Sequence, residues 1–331
     1  MNTFYATNLL IYAGVDIIAL LALNLQFGVS GIVNFSFIVF QAAGAYAAAV
    51  LSMPPDSNPD YSFQIYFGGY QLPFPLPWIG GAVAGGLLAI PIGLVALRKL
   101  RSDYQAIALL VTSIIANEVI NNARPFLNGA AGLALVPKPL QDQVDTQGDY
   151  YPYLLIGLTA ACVALVWFVS ARIVNSPYGR SLRAMRENEL AANALGKNPV
   201  ALKMTIFIVG GIIAGLSGAI LVGYLSVWAP STWQYPETII LFAALIVGGR
   251  GNNLGAILGA LLVPVGLEEV TRLMVHLNLG PPNLIPALEW VVIGLCILGF
   301  LWFRPEGVRP EPRRVFDGGP DLELVEGVHA T

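Results

Sequence analysis

The feature that most constrains this chain is a succession of apolar stretches about twenty residues long, separated by turns rich in glycine, proline and asparagine. A helix rises about 1.5 Å per residue, so twenty residues match a bilayer core of about 30 Å. Lipid offers no hydrogen bonds, so an unbroken apolar stretch of that length satisfies its backbone as a helix. Composition agrees, with 56% hydrophobic and 11% charged residues. That is too little polar surface for a globule facing water. The net charge of −3, with no basic patch, argues against a nucleic-acid partner. Cys162 and Cys296 lie inside apolar stretches and read as small core residues. No basic region or cleavage site precedes the first stretch, so a removable signal peptide is not expected.

The expected spans are 8–27, 28–52, 77–98, 104–123, 151–172, 203–228, 237–249, 254–274 and 285–303. This describes an all-α polytopic membrane protein of about nine transmembrane helices, within a range of about eight to ten. One or two of these helices are broken or short. Gly28 and Gly31 interrupt the second, and 237–249 is too short to cross, ending at Gly248-Gly249-Arg250-Gly251. The sequences around Gly28–Ser36 and Gly248–Leu254 share a pattern of apolar helix, glycine turn, asparagine and small-residue helix, a hint of an internal repeat. Glycines 80, 81, 85 and 86, and glycines 210, 211, 215 and 218, suit close helix contact. The membrane domain is expected over 1–303, and 304–331, rich in proline, glycine and charge, is expected to be a disordered tail.

Between the fifth and sixth spans runs Ser176–Lys203, the longest polar interruption, and it carries the punctuation of folded helices. Ser176-Pro177 is an N-cap followed by proline at the first helical position. Asn188 caps a second short helix that Gly196 closes, and Asn198-Pro199 starts the next span. Leu190, Ala191, Ala192 and Leu195 share one face, which should dock on a partner or lie on lipid headgroups. With this loop inside, alternating spans leave only Arg124, Lys138 and Arg272 outside among the 17 lysines and arginines. The C-terminus is then cytoplasmic and the N-terminus outside.

Arg186-Glu187-Asn188-Glu189-Leu190-Ala191-Ala192-Asn193-Ala194-Leu195-Gly196 resembles the cytoplasmic coupling loop of ABC importer permeases, most closely those of branched-chain amino-acid importers. The general motif is Glu-Ala-Ala, three residues, then Gly. Here leucine stands in the acidic position, with Glu189 just before it. Asn34–Tyr46 resembles a segment of the same family, although Phe37 occupies its histidine position. Asn128–Leu133 resembles the outer glycine-rich loop after the fourth span, and Phe303–Gly307 resembles the end of the last span. The resemblance covers most of Leu20–Gly307.

The resemblance implies a permease subunit in the bacterial inner membrane, moving branched-chain or related amino acids inward by alternating access. Its implied partners are two ATPase subunits, a second, homologous permease subunit, and an extracytoplasmic solute-binding protein. ATP and magnesium would be held by the ATPases, with no cofactor in this chain. Loop 173–203 would be the coupling element, through Arg183, Arg186, Glu187, Glu189, Leu190, Ala191, Ala192, Leu195 and Gly196.

The chain itself has little catalytic equipment. Its two histidines, His276 and His329, are far apart in sequence, and it contains no HExxH, GxSxG or GxxxxGK[ST] motif. An enzyme is therefore disfavoured, and ATP hydrolysis is expected elsewhere. Polar residues inside spans remain as pathway candidates: Asp16, Asn24, Asn34, Ser36, Gln41, Asn117 and Glu118. Asp16 and Asn24 share a helix face, and either bonding within the bundle or a pathway role fits Asp16. Glu118 could instead pair with Arg124 or Arg272. Glu268, Glu269 and Glu289 read as solvated residues near span ends. Asn34, Ser36 and Gln41 among Phe35, Phe37, Phe40 and Tyr46 suit a zwitterion with an apolar side chain. An ion-coupled secondary transporter, or a permease for urea and short amides, is the alternative.

Overall fold

Glycine decides where the central helices meet. The computed structural model describes residues 3–55, 58–100, 102–141, 143–146, 148, 150–266, 269–270, 272, 284–304 and 306–311. Helix α1 (Thr3–Leu23) runs on as a π-helix, Asn24–Val29, and α2 covers Phe37–Ser52. Two long helices follow, α3 (Leu76–Lys99) and α4 (Ser102–Asn122), then α5 (Tyr151–Asn175). The polar loop folds as α6 (Pro177–Glu187) and α7 (Glu189–Ala194), and leads into α8 (Pro199–Leu225). The chain continues through α9 (Tyr235–Gly248), α10 (Asn253–Ala260, with a π-helical continuation over Leu261–Val265) and α11 (Leu284–Phe303).

Helices α2, α3 and α8 form the centre, and their backbones touch. A Cβ on Gly44 would lie 2.1 Å from the Gly215 carbonyl oxygen, and one on Gly218 would lie 1.9 Å from that of Gln41. A Cβ on Gly85 would meet the Gly211 carbonyl at 2.3 Å. No other residue fits at these crossings, which is how small-residue packing holds helices together where lipid is as apolar as leucine. Around this centre α3, α4 and α5 expose large apolar side chains, among them Val95, Ile107, Val119 and Leu165. Such an outer surface suits lipid or another membrane helix.

Five helices among the described residues are long and apolar enough to cross a membrane: Tyr5–Val29, Leu76–Arg98, Tyr104–Asn122, Tyr151–Asn175 and Pro199–Leu225. Phe37–Ser52 and Asn253–Val265 are shorter apolar helices. The protein is an all-α polytopic membrane protein. Its β-structure among the described residues is slight: Leu133–Ala134 (β1) pairs antiparallel with Val227–Trp228 (β2), and Tyr66 forms an isolated bridge with Leu127.

The connections sort into two ends. At one end lie the turn after the π-helix, α6 and α7, the turn after α9, and the chain following α11. There the Arg186 guanidinium donates to the Gly28 carbonyl, and Gly251 N–H donates to Asn24 Oδ1 at 2.8 Å. The opposite end gathers the segment after α2, the loop after α4 and the link between α8 and α9. Tyr61 hydroxyl donates to Leu135 O there at 3.1 Å, and Asn117 Nδ2 to Pro230 O at 2.8 Å. The Tyr224 hydroxyl, beside the α8–α9 link, donates to Asn8 Oδ1, which puts the start of α1 with this second set. Alternating spans require this sorting of connections.

Two boundaries differ from the sequence reading. The second span begins at Phe37, because the π-helix ends before Gly31, which takes φ +77°, and residues 31–34 form no regular structure. Helix α8 begins at Pro199 with Asn198 as its cap, as the sequence reading has it. The tail is not disordered from residue 304: Val308 N–H donates to Val247 O at 2.8 Å and Arg309 N–H to Gly248 O at 3.0 Å. Residues 312–331, Asp142, Asp149, Glu268, His276 and the side chains of Glu289 and Cys296 lie outside the described residues.

The two ends should label from opposite sides. In a background lacking Cys162 and Cys296, Asp145→Cys should react with an impermeant thiol reagent added to intact cells. Lys197→Cys should react only after permeabilisation. Labelling of both from one side would break the alternation.

Candidate functional site

The loop at the first end is fixed from one side and bare on the other. Ser176 Oγ accepts from Gly179 N–H at 3.2 Å, Asn188 Oδ1 from Ala191 N–H at 3.0 Å, and Asn198 Oδ1 from Ala201 N–H at 3.1 Å. All three are N-caps, each satisfying a helix N–H that would otherwise lack a partner. At the other end of α7, Gly196 takes φ +77°, its N–H donates to Asn193 O, and Lys197 N–H donates to Ala192 O at 3.1 Å. This is the glycine-closed Schellman arrangement. Leu182 and Met185 bury the inner face of α6, Ala192 buries that of α7, and Tyr178 hydroxyl donates to Leu202 O at 2.9 Å. Burial raises the Tyr178 phenol above its ordinary value, so it stays a donor.

The outer face is different. Leu190 is 82% exposed and Leu195 81%, both on one folded element with Ala191 and Gly196 also exposed. Glu187 is exposed, and the Glu189 carboxylate accepts from Lys203 Nζ at 2.7 Å. Arg183 and Arg186, grouped with them in the sequence reading, turn the other way. The Arg183 guanidinium donates to Val174 O, and its Nε lies 3.1 Å from Glu311 Oε1. Arg186 Nη2 lies 2.7 Å from Glu311 Oε2. These two arginines anchor the loop, while Leu190, Ala191, Leu195 and Gly196 present it.

The polar residues expected to line a passage divide between two places. Asn24, Asn34 and Ser36 are fully buried in a hydrogen-bonded network. Asn34 Nδ2 donates to Gln26 Oε1 at 2.8 Å, Gln26 Nε2 donates to Phe207 O at 2.9 Å, and Ser36 Oγ donates to Asn34 Oδ1 at 2.8 Å. Asn24 Nδ2 donates to Asn253 Oδ1 at 3.0 Å while its Oδ1 receives Gly251 N–H. Phe37 and Phe40 are fully buried beside them. The network holds the two interrupted helices to each other and to α8. Gln26, which the sequence reading passed over, is central to it.

Asp16 and Gln41 instead face a cavity of about 510 Å³ between α1, α2, α8 and α9. Glu237, read from sequence only as the start of a short helix, lines the same cavity. Trp228 is also in its wall, and its buried indole N–H has no acceptor among the described residues. The remaining wall includes Ile38, Leu221, Ile240 and Leu241. Asn117 lies elsewhere, binding the link before α9, through Pro230 O and Trp233 O. Glu118 pairs with neither Arg124 nor Arg272 in a described contact; Asn122 Nδ2 approaches it at 3.4 Å on an exposed stripe of α4.

Asn24→Ala should destabilise the protein by about 1–3 kcal/mol, because it leaves Gly251 N–H buried without its partner and removes the bond to the half-buried Asn253 amide. Thermal unfolding in detergent reads this directly. Asn24→Asp keeps the acceptor for Gly251 N–H but buries a carboxylate facing Asn253 Oδ1, so it should lose at least as much.

Residues 5–301 match the family of permease components of branched-chain amino acid transport systems. The chain is 28% identical to the high-affinity branched-chain amino acid transport system permease protein LivM of Salmonella typhimurium, over 97% of its length and 72% of that protein. It is 26% identical to the probable LivM of Methanocaldococcus jannaschii, over 92% of each. Partial similarity extends to the fructose import permease protein FrcC of Rhizobium meliloti, 27% identical over 41% of this chain and 36% of that one. No solved structure matches.

Proposed function

The chain belongs to the family of permease components of branched-chain amino acid transport systems, and we propose that separate ATPase subunits drive it by docking on α6 and α7. It is a permease subunit of an ABC importer, not an enzyme. The observation that carries the docking surface is the pair Leu190 and Leu195, each more than four-fifths exposed on a capped and anchored element. Exposed leucines on a flexible loop would mean little. Here both helix ends are closed and the opposite face is buried, so the apolar pair is held ready for a groove on another protein. ATP and magnesium belong to those partner subunits, and this end of the molecule is cytoplasmic, with the N-terminus outside.

A second, homologous permease subunit would cover the exposed stripe of α4. That stripe carries Ile107, Val111, Ile114 and Val119 together with Glu118. A carboxylate within a membrane helix is costly against acyl chains, so Glu118 is better placed at a protein interface or in a wet pathway. The loops at the opposite end, after α2 and after α4, are the surface for a solute-binding protein. The cavity holding Asp16 and Glu237 suits the ammonium group of an amino acid, the Trp228 N–H its carboxylate, and the leucine and isoleucine wall a branched side chain. It suits neutral urea or a sugar less well.

The test is uptake into liposomes holding this chain with its partner permease and ATPases. Leucine, isoleucine or valine uptake should require both ATP and loaded binding protein. Leu190→Asp and Gly196→Val should each abolish uptake and ATPase co-purification while the permease still inserts, since one puts charge on the docking face and the other a β-branched residue at positive φ. Asp16→Asn combined with Glu237→Gln should impair uptake while leaving ATPase docking intact. Uptake without ATP, or an ATPase that still docks on both loop variants, overturns this reading.

A further inference from the structure

Glu311 sits where four separate parts of the chain come together. Its carboxylate lies between two guanidiniums of α6, 3.1 Å from Arg183 Nε and 2.7 Å from Arg186 Nη2. Arg186 also donates to the Gly28 carbonyl, at the first interrupted helix. The segment leading to Glu311 runs along the second interruption: Val308 and Arg309 donate to Val247 O and Gly248 O, and Asn252 Nδ2 donates to Pro310 O at 3.0 Å. The fit is close, since a Cβ on Gly249 would be 2.2 Å from Arg309 O and one on Gly251 2.6 Å from Glu311 Oε2. Both glycines have positive φ, and Asn24 joins their turn to the first interruption through Gly251 N–H. The contacts close a ring: α6, the turn at Gly28, Asn24, the turn at Gly251, the tail, and α6 again.

We propose that Glu311 is a positioning residue for coupling, and that residues 306–311 clamp the coupling helix α6 to the turn between α9 and α10. The clamp relays movement of α6 to both interrupted helices at once. This rests on α6 and α7 being the face that meets the ATPases. A carboxylate shared by two arginines is suited to the task, because charge-assisted bonds are directional and strong enough to make the joined parts move together. The side chains are about one-fifth to one-quarter exposed, so the link is neither sealed in the core nor freely solvated. A tail serving only to cover the glycine turn would not need its carboxylate between those two arginines.

The experiment compares the complete reconstituted complex carrying wild-type chain, Glu311→Ala, Glu311→Gln or Glu311→Asp, measuring solute moved and ATP hydrolysed in the same liposomes. Glu311→Ala should lower solute moved per ATP by at least about fivefold, the low end of ordinary coupling between sites. ATP hydrolysis stimulated by the binding protein should persist. Glu311→Gln, which keeps the shape and loses the charge, should fall short as well, and Glu311→Asp should recover part of the ratio. An unchanged ratio in Glu311→Ala overturns the proposal, as does parallel loss of uptake, hydrolysis and assembly in both the alanine and glutamine variants. Wild-type uptake that ignores ATP would overturn the ATPase-docking reading itself, a separate outcome.

Discussion

A helix interrupted where the protein buries it releases backbone N–H and C=O groups that water cannot reach, and each such group is costly unless the protein supplies a partner. Two interruptions of this kind, at residues 30–36 and 249–252, shape the molecule. Their partners come from each other and from nearby helices. Asn24 supplies the acceptor for Gly251 N–H, Gln26 reaches the Phe207 carbonyl of α8, and Asn34 bonds Gln26 and its own turn. Breaking one helix therefore commits the other to stay beside it. The same need brings the tail in, since its N–H groups donate to carbonyls at the C-terminal end of α9.

Glycine makes both the rigid centre and the jointed end possible, for opposite reasons. Between α2, α3 and α8 it allows backbone contact, and side chains there would push the helices apart. At Gly31, Gly249 and Gly251 it supplies positive φ, where other residues are strained. A stiff three-helix core next to two glycine-hinged helices suits a transporter: movement is confined to the parts that can turn. An isolated exposed ion pair contributes only about 0.2–1 kcal/mol, too little to organise such an end. The partly buried bonds among Arg183, Arg186, Glu311 and Gly28 act as a group instead.

How much of this was legible follows from the range of each interaction. The caps at Ser176, Asn188 and Asn198 and the closing Gly196 depend on bonds three to five residues long, and the sequence reading placed all of them. Close packing at glycines 81, 85, 211, 215 and 218 was legible because small residues recur on one face. Asn24 and Asn253 are 229 residues apart, and Arg186 and Glu311 are 125 apart, so nothing local announces either pair. Composition misled at the tail: proline, glycine and charge describe disorder on average, but 306–311 are bonded to the glycine turn. Asn34 and Ser36 read as pathway residues because buried polar groups in a membrane helix usually signal function; in the structure their bonds run to each other and to Gln26. Asp16 and Gln41 do face a cavity, but its second carboxylate, Glu237, was hidden at the start of a helix read as merely short.

The central claim is that α6 and the turn between α9 and α10 move as one body when the ATPases act. Spin labels at Ala184 and Arg250, both exposed, report the distance across the clamp, and a third at Asp145 marks the opposite end. Pulsed dipolar spectroscopy on the reconstituted complex, without nucleotide and trapped with ATP, measures the change. The account predicts an unchanged Ala184–Arg250 distance while both sites shift relative to Asp145. A change in the Ala184–Arg250 distance on trapping would contradict it.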